Sequence, residues 1–354
     1  MVEIYSGVDR ARQAGPIRAS ALCLTGGGVL GRFTLEILSI LEREREGVIG
    51  TQMRGENKLS ELRFGFDILA GTSVGALIAA GLAVGISPGT ISEKIEEFGP
   101  RIFPEKSALS RLSHIKTAWF QSKYLVEAVE KTLGDKIDNL LGDLDVHLAI
   151  PTLNETTGEP IVYTTLEEQH LDVPLKDIVL ASAAAPIYLP AWTINDHRYV
   201  DGGLFANAPD LSTIRLLQKH APHLKLENIS ILSIGTTNAE KTSPIAAKEN
   251  GNWGLKRWFA SPVPARLIKI ILAAQTAHNI GLIKTLPLDN FERIDVDLEP
   301  DDSAILALDN ASEAALNRLA ELATEHFESM TDDRIARIRN MVTKSVDHTI
   351  WQPK

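Results

Sequence analysis

The chain has 354 residues, 44% hydrophobic and 23% charged, a globular balance with enough apolar material for one large α/β domain or two smaller ones. Its net charge of -10 argues against DNA or RNA as the partner, because phosphate binding is driven by a lysine and arginine excess that is missing here. A single cysteine, Cys23, excludes an internal disulfide and sulfur-based metal ligation; it fits a reducing, cytoplasmic setting, and no cofactor is expected.

The leader MVEIYSGVDRARQAGPIRAS has no apolar core of signal-peptide length, so secretion by that route is not expected. The longest apolar run, ALIAAGLAVGI, is glycine-rich and falls short of the ~20 residues of a spanning helix. Peripheral contact is the membrane option left. The first predicted element is the buried strand ASALCLT, with Cys23 inside it. GGGVLG follows, and then the amphipathic helix RFTLEILSILERERE. The charged stretch from Gly47 to Arg63 reads as a surface loop. A second strand, FGFDILA, runs into GTSVG and the helix VGALIAAGLAV, repeating strand, glycine turn and helix. Helical patterns return at 88–98 and 122–133; a strand at 145–150 pairs with 160–165 across NETTGE. LKDIVLASAAAPIYLPAW gives a short helix ending at Pro186, and a hairpin turning at Asn195 and Asp196 delivers Asp201 to DGG. NISILSIGT (228–236) is another buried strand, 251–285 contains an apolar helix, and from Asp302 onward the pattern is helical. Strands alternating with helices predict a largely parallel sheet covered on both faces, in one domain over 1–354, with a core of about 18–300 and a helical segment at 301–354.

Three glycine turns carry chemistry. The pattern GxSxG occurs twice, around Ser73 and around Ser87. A nucleophile elbow needs a buried strand, a sharp turn and a helix directly behind it. GTSVG has all three: Gly71 and Gly75 remove side chains between strand and helix, and the positive helix end points at Ser73. GISPG lies at the far end of that helix, where Gly85 suits a C-terminal cap, Ser87 the N-cap of the next helix and Pro88 its first position. Ser87 is therefore read as structural. TGGGVLG offers backbone N–H groups free of side chains, as an oxyanion hole or a phosphate site requires. Through Gly26, Gly28 and Gly31 it also matches GxGxxG, but the acidic ribose ligand expected after the second strand is replaced by that strand's elbow. In VDGGLFANAP, Asp201 is either a turn-forming residue or the base a serine hydroxyl needs.

TGGGVLG, GTSVG, ASAAAPIYLPAW, DGGLFANAP and LSIGTT occur in this order between Ala21 and Thr237, and with them the chain resembles the patatin-like phospholipases. The resemblance implies a three-layer α/β/α sandwich and a Ser–Asp dyad, without a catalytic histidine, that cleaves acyl esters of lipids. It implies Ser73 as nucleophile, Asp201 as base and the amides of Gly26, Gly27 and Gly28 as oxyanion hole, with Gly31, Gly71, Gly75 and Gly202 supporting the motifs. Two positions depart from the family pattern: Thr25 stands where Asp is usual, and Leu30 replaces an Arg, with Arg32 beyond Gly31. A GGG loop entered from Thr is also similar to a bacterial branch of antiphage effectors, activated by a cyclic dinucleotide, that degrade membrane phospholipid. A homo-oligomer is compatible with all of this.

Two segments mix aromatic and basic residues, RIFPEKSALSRLSHIKTAWFQSKY (101–124) and NWGLKRWFASPVPARLIKIILAA (252–274). In the second, Trp253 and Trp258 with Phe259 suit acyl chains while Lys256 and Arg257 suit lipid phosphates; an anionic nucleotide is an equal reading, and packing of a peripheral helix a third. The competing enzyme is a Ser–His–Asp esterase using His197, His223 or His278, none of which sits in a motif. A nonenzymatic nucleotide binder built on the GGG loop is the other alternative.

Overall fold

The computed structural model describes residues 18–52, 61–104, 117–237, 254, 258, 266–344 and 346. Strand β1 (Ala19–Leu24) lies inside an eight-stranded sheet, and its period-two alternation makes it two-sided. Leu22 and Leu24 face one apolar cluster; Ala19, Ala21 and Cys23 face another. The Cys23 thiol is a core group, and burial pushes its pKa up.

The other strands are β2 (Ile68–Gly71), β3 (His147–Asn154), β4 (Glu159–Thr164), β5 (Trp192–Ile194), β6 (His197–Asp201), β7 (Ile229–Ile234) and β8 (Asn290–Ile294). Their order is β5-β6-β3-β2-β1-β7-β8, with β4 also on β3. The run from β3 to β8 is parallel; β4, β5 and β6 pair antiparallel. Both expected hairpins form, and Asn195 and Asp196 turn the second one with positive φ. Strand β8 had no sequence signal. Its pattern is broken by Glu292, which is buried only because Arg334 and Arg337 pair with it at 3.2 and 2.6 Å.

Around the sheet run α1 (Gly31–Gln52), α2 (Val74–Ala83), α3 (Pro88–Ile102), α4 (Ser122–Leu133), α5 (Leu175–Ser182), α6 (Gly203–Ala206), α7 (Asp210–His220), α8 (Arg266–Ile283), α9 (Pro300–Ile305), α10 (Glu313–Glu328) and α11 (Asp332–Thr343). Helix α5 stops at Ser182 rather than at Pro186, because the chain turns there to present the Ala184 carbonyl to the Asp201 N–H at 3.0 Å.

The charged stretch after α1 is not simply a surface loop. The helix continues to Gln52, and Arg45, in the run ERERE, is fully buried. Its guanidinium donates to the carbonyls of Glu61 at 3.0 Å and Lys344 at 2.8 Å, and to that of Val342. A planar fork of five N–H donors can satisfy several carbonyls at once, which makes this burial tolerable. It ties α1 to the chain after α11, and Leu319, Ala323, Ile338 and Val342 join Phe33 and Leu41 in one core cluster.

One feature of the register positions the site. Ala149 of β3 pairs with Thr164 of β4 and with Ala70 of β2; Thr152 pairs with Ile161 of β4 and with Asp201 of β6. Since a strand has two edges and β4 occupies one along this length, β2 and β6 share the other. They run in opposite senses along it, so their C-terminal ends, Gly71 and Asp201, point at each other.

Candidate active site

Ser73 follows β2 and precedes α2 with φ 56° and ψ -121°, a conformation that costs a non-glycine residue about 1–3 kcal/mol. Close packing holds it there. A Cβ at Gly71 would lie 2.0 Å from the Gly75 carbonyl oxygen, and one at Gly75 would lie 2.4 Å from that of Leu24. Only glycine allows this approach of strand to helix. The Ser73 N–H donates to Ser182 Oγ at 3.0 Å, and that hydroxyl donates to the Pro151 carbonyl at 2.7 Å. Thr72 Oγ1 donates to the Ala206 carbonyl at 2.7 Å, so the turn is braced from both sides.

Ser87 sits at the other end of α2 and caps α3, accepting from the Thr90 N–H at 3.2 Å, with Pro88 next and Gly85 at φ 86° before it. This is the structural role expected of it.

Asp201 ends β6, and the turn after it is as tight as the elbow: a Cβ at Gly202 would lie 2.2 Å from the Pro151 carbonyl oxygen. Its carboxylate is buried and accepts from the Gly203 N–H at 2.7 Å. Burial pushes the Asp201 pKa up to about 6, opposed by hydrogen bonds from the Gly203 N–H and the Ser73 hydroxyl. A carboxylate near 6 is mostly ionised at neutral pH, yet basic enough to take a proton in a transition state.

The three loop glycines separate. The Gly26 N–H donates to the Asn207 carbonyl at 3.0 Å, so its donor is already engaged, contrary to the oxyanion-hole role expected of it. Those of Thr25 and Val29 donate to Ile234 and Leu308. Gly27 and Gly28 make no such bond among the described residues, and both line a cavity of about 50 Å³ together with Ser73, Asp201 and Asn207. Gly28 has φ 57°, and a Cβ there would lie 2.2 Å from the Leu308 carbonyl oxygen. Gly31 instead packs against Val74, joining the loop to α2. The departures from the family pattern also find roles. Thr25 Oγ1 accepts from Arg293 at 2.7 Å, and Arg32 pairs with Glu36 and Glu96, both at 2.9 Å, clamping α1 to α3 away from Ser73.

A second cavity of about 70 Å³ opens from Ser73 between α2, α3 and α4, lined by Leu77, Ile95, Phe98 and Val129 among others. No histidine lines either cavity among the described residues; His197, His223 and His278 are all exposed. Trp253, Lys256 and Arg257 lie outside the described residues, and Trp258 is half-buried.

Sequence reasoning did not single out Ser182 or Asn207, although both stand inside quoted motifs. Asn207 accepts from the Gly26 N–H through its carbonyl, donates from its own N–H to Gln275 Oε1 at 2.9 Å, and donates from Nδ2 to Thr276 Oγ1 at 3.1 Å. Nothing in the local sequence distinguishes it from a turn asparagine, since its partners come from α8.

The family model for patatin-like phospholipases matches residues 22–212, more than half of the chain. A cGAMP-activated phospholipase of Vibrio cholerae is 31% identical over 340 residues, covering 86% of this chain and 90% of that one. One from Escherichia coli is 30% identical, covering 86% and 87%, and Patatin-like protein 1 of Oryza sativa subsp. indica is 27% identical, covering 73% and 68%. Among solved structures, VipD from Legionella pneumophila aligns over 93% of this chain and 81% of its own, at 13% identity and a TM-score of 0.32. The match of the family model across all three glycine turns, and relatives at 30–31% identity that are covered over most of both chains, establish that the chain belongs to the patatin-like phospholipase family.

Proposed function

We propose that the protein hydrolyses carboxylic esters of membrane phospholipids through a Ser73–Asp201 dyad, and that a cyclic dinucleotide activates it in antiphage defence. The observation that carries the chemistry is that Ser73, buried Asp201 and the two undonated amides of Gly27 and Gly28 share one small cavity. In the first half-reaction Ser73 Oγ attacks the ester carbonyl carbon while its proton passes to the Asp201 carboxylate. The tetrahedral oxyanion is received by the Gly27 and Gly28 N–H groups and by the positive end of α2. Collapse breaks the ester C–O bond, and the proton held on Asp201 goes to the departing lysolipid alcohol. Water, deprotonated by Asp201, then cleaves the acyl-enzyme, releasing the fatty acid and restoring the Ser73 hydroxyl.

The apolar cavity between α2, α3 and α4 suits the start of an acyl chain. Helix α8 supports peripheral membrane contact: Ile268 and Leu272 line the Ser73 cavity, while Ile270 and Leu282 remain 41% and 42% exposed on the same helix. No helix of the described residues is long and apolar enough to cross a membrane. The names of the bacterial relatives support the activator, and a cytoplasmic nucleotide signal would place the work at the inner face of the cytoplasmic membrane. The absence of any histidine from the lining of the described site favours the dyad over a Ser–His–Asp esterase, and the acylatable serine favours an enzyme over a nucleotide-binding protein.

The test is release of fatty acid from phospholipid vesicles with and without cGAMP. Cleavage stimulated by the nucleotide and lost in Ser73→Ala is the expected result; stimulated cleavage that persists in Ser73→Ala refutes the reading. Variants of His197, His223 and His278 to Ala are expected to stay active, and loss in any one with a normal fold would replace the dyad by a triad.

A further inference from the structure

A third cavity of about 690 Å³ lies between α8 and the edge strand β8, and the proposed chemistry makes no use of it. Its volume falls within the roughly 300–1,000 Å³ of small-molecule sites, far above either cavity at Ser73. Three observations mark it as a built polar site. Thr237, in its wall, is 7% exposed, and its hydroxyl has no hydrogen-bond partner among the described residues. Thr237 also has φ 74°, strained for a β-branched residue, and is held by the bond from its N–H to Asp295 Oδ1 at 3.1 Å. Beside it the Arg293 guanidinium donates to Thr25, Ser233 and Asp295 at 2.7, 2.8 and 2.7 Å, a fork fixed in place before any ligand arrives. Lys284, exposed at the rim, makes no ion pair among the described residues, and Phe291 offers an aromatic ring.

The cavity also adjoins the loop that presents Gly27 and Gly28. Asn207 lines both this cavity and the one holding Ser73. The Gly26 carbonyl accepts from Thr236 Oγ1 at 3.0 Å and from Asn207 Nδ2 at 3.4 Å, and both donors stand in the wall of the larger cavity. An occupant would therefore lie against Thr236 and Asn207, the two side chains that donate to the Gly26 carbonyl.

We propose that this cavity is the receptor for the cyclic dinucleotide, and that Asn207 and Thr236 transmit its occupation to the Gly26–Gly28 turn. The assignment rests on the activated-phospholipase reading above. Arg293 and Arg334 in the wall are offset by Asp295 and Glu292, and Asp297 also stands there, so the cation left to meet a phosphodiester is Lys284 at the rim, while Phe291 and the threonine hydroxyls supply a face and hydrogen bonds for the two bases. A single phosphate or a lipid headgroup would satisfy that cation and leave most of the volume empty.

Binding of cGAMP to the Ser73→Ala chain, measured by calorimetry, separates recognition from turnover. Lys284→Glu, at an exposed position, is expected to weaken binding tenfold or more, and Thr237→Val roughly five- to tenfold, with unchanged thermal unfolding. Wild-type affinity in both variants overturns the site and leaves the activator reading standing. Failure of the parent chain to bind cGAMP removes both. Displacement of cGAMP by inorganic phosphate at comparable concentration overturns the dinucleotide assignment. The transmission has its own test in Gln275→Leu, which loses the bonds to Asn207 and Phe205 but does not line the cavity. It should bind cGAMP normally while the nucleotide-driven gain in kcat falls on the order of tenfold, with KM little changed. A full gain in kcat in that variant overturns the route through Asn207.

Discussion

The two ends of α2 carry the same five-residue pattern and do opposite things. At the N-terminal end, Ser73 is forced into positive φ, its N–H is fixed by Ser182, and its hydroxyl reaches a buried carboxylate. At the C-terminal end, Ser87 lies in ordinary extended backbone and turns its hydroxyl to the Thr90 N–H of its own helix. One serine is satisfied locally; the other is held under strain by residues far away in the chain. The difference teaches that a candidate nucleophile is recognised by what prevents its hydroxyl from capping.

Substitutions at the two ends sharpen the contrast. The largest effect is expected for Ser73→Ala, which should reduce fatty-acid release by roughly 10⁴-fold or more while leaving the fold intact. Asp201→Asn should lower kcat by about 10²–10⁴-fold. The same variant should be more stable at pH 8 by roughly 1–3 kcal/mol, because burial penalises the ionised carboxylate; urea titration would reveal it. The sign follows from the raised pKa. The folded chain holds this proton more tightly than the unfolded one, so the wild type loses stability as pH climbs through about 6, and the gain in the variant should vanish toward pH 4. Activity should run the other way, because the proposed base acts only when ionised: kcat should fall tenfold per unit below about pH 6, and a flat profile between pH 4.5 and 7 would exclude Asp201 as the base.

Smaller effects test the support. Ser182→Ala leaves the Ser73 N–H without its acceptor and should lower kcat about tenfold, with stability reduced by about 1–3 kcal/mol. Ser87→Ala should lower stability by about 0.5–2 kcal/mol through loss of the cap, with kcat unchanged. Loss of activity in Ser87→Ala without unfolding would erase the distinction between the two turns.

Much of this was legible before the structure, and for local reasons. Gly71 and Gly75 could be read as sites of close approach, Ser87 with Pro88 as a cap, and the 145–150 and 160–165 segments as a hairpin, because turns and caps depend on neighbouring residues. Burial was harder to read. Arg45 looks like part of a charged helix end, yet it is buried because carbonyls at the end of α11 and just after it come to meet it. Glu292 misled in the same way, its charge hidden against two arginines from α11, so β8 carried no strand signal.

By itself, then, the sequence determined the identity of the strand–turn–helix units and the residue types each turn needs, since those follow from the presence or absence of a Cβ and from caps within a few residues. Tertiary structure alone decided that β2 and β6 meet end to end on one edge of β3, which brings Asp201 to Ser73. It also decided which amides of the GGG turn remain undonated, because that depends on the Asn207 carbonyl reaching Gly26 and not Gly27 or Gly28. A backbone N–H has only so many acceptors within reach, and the chain brings them there only when it folds.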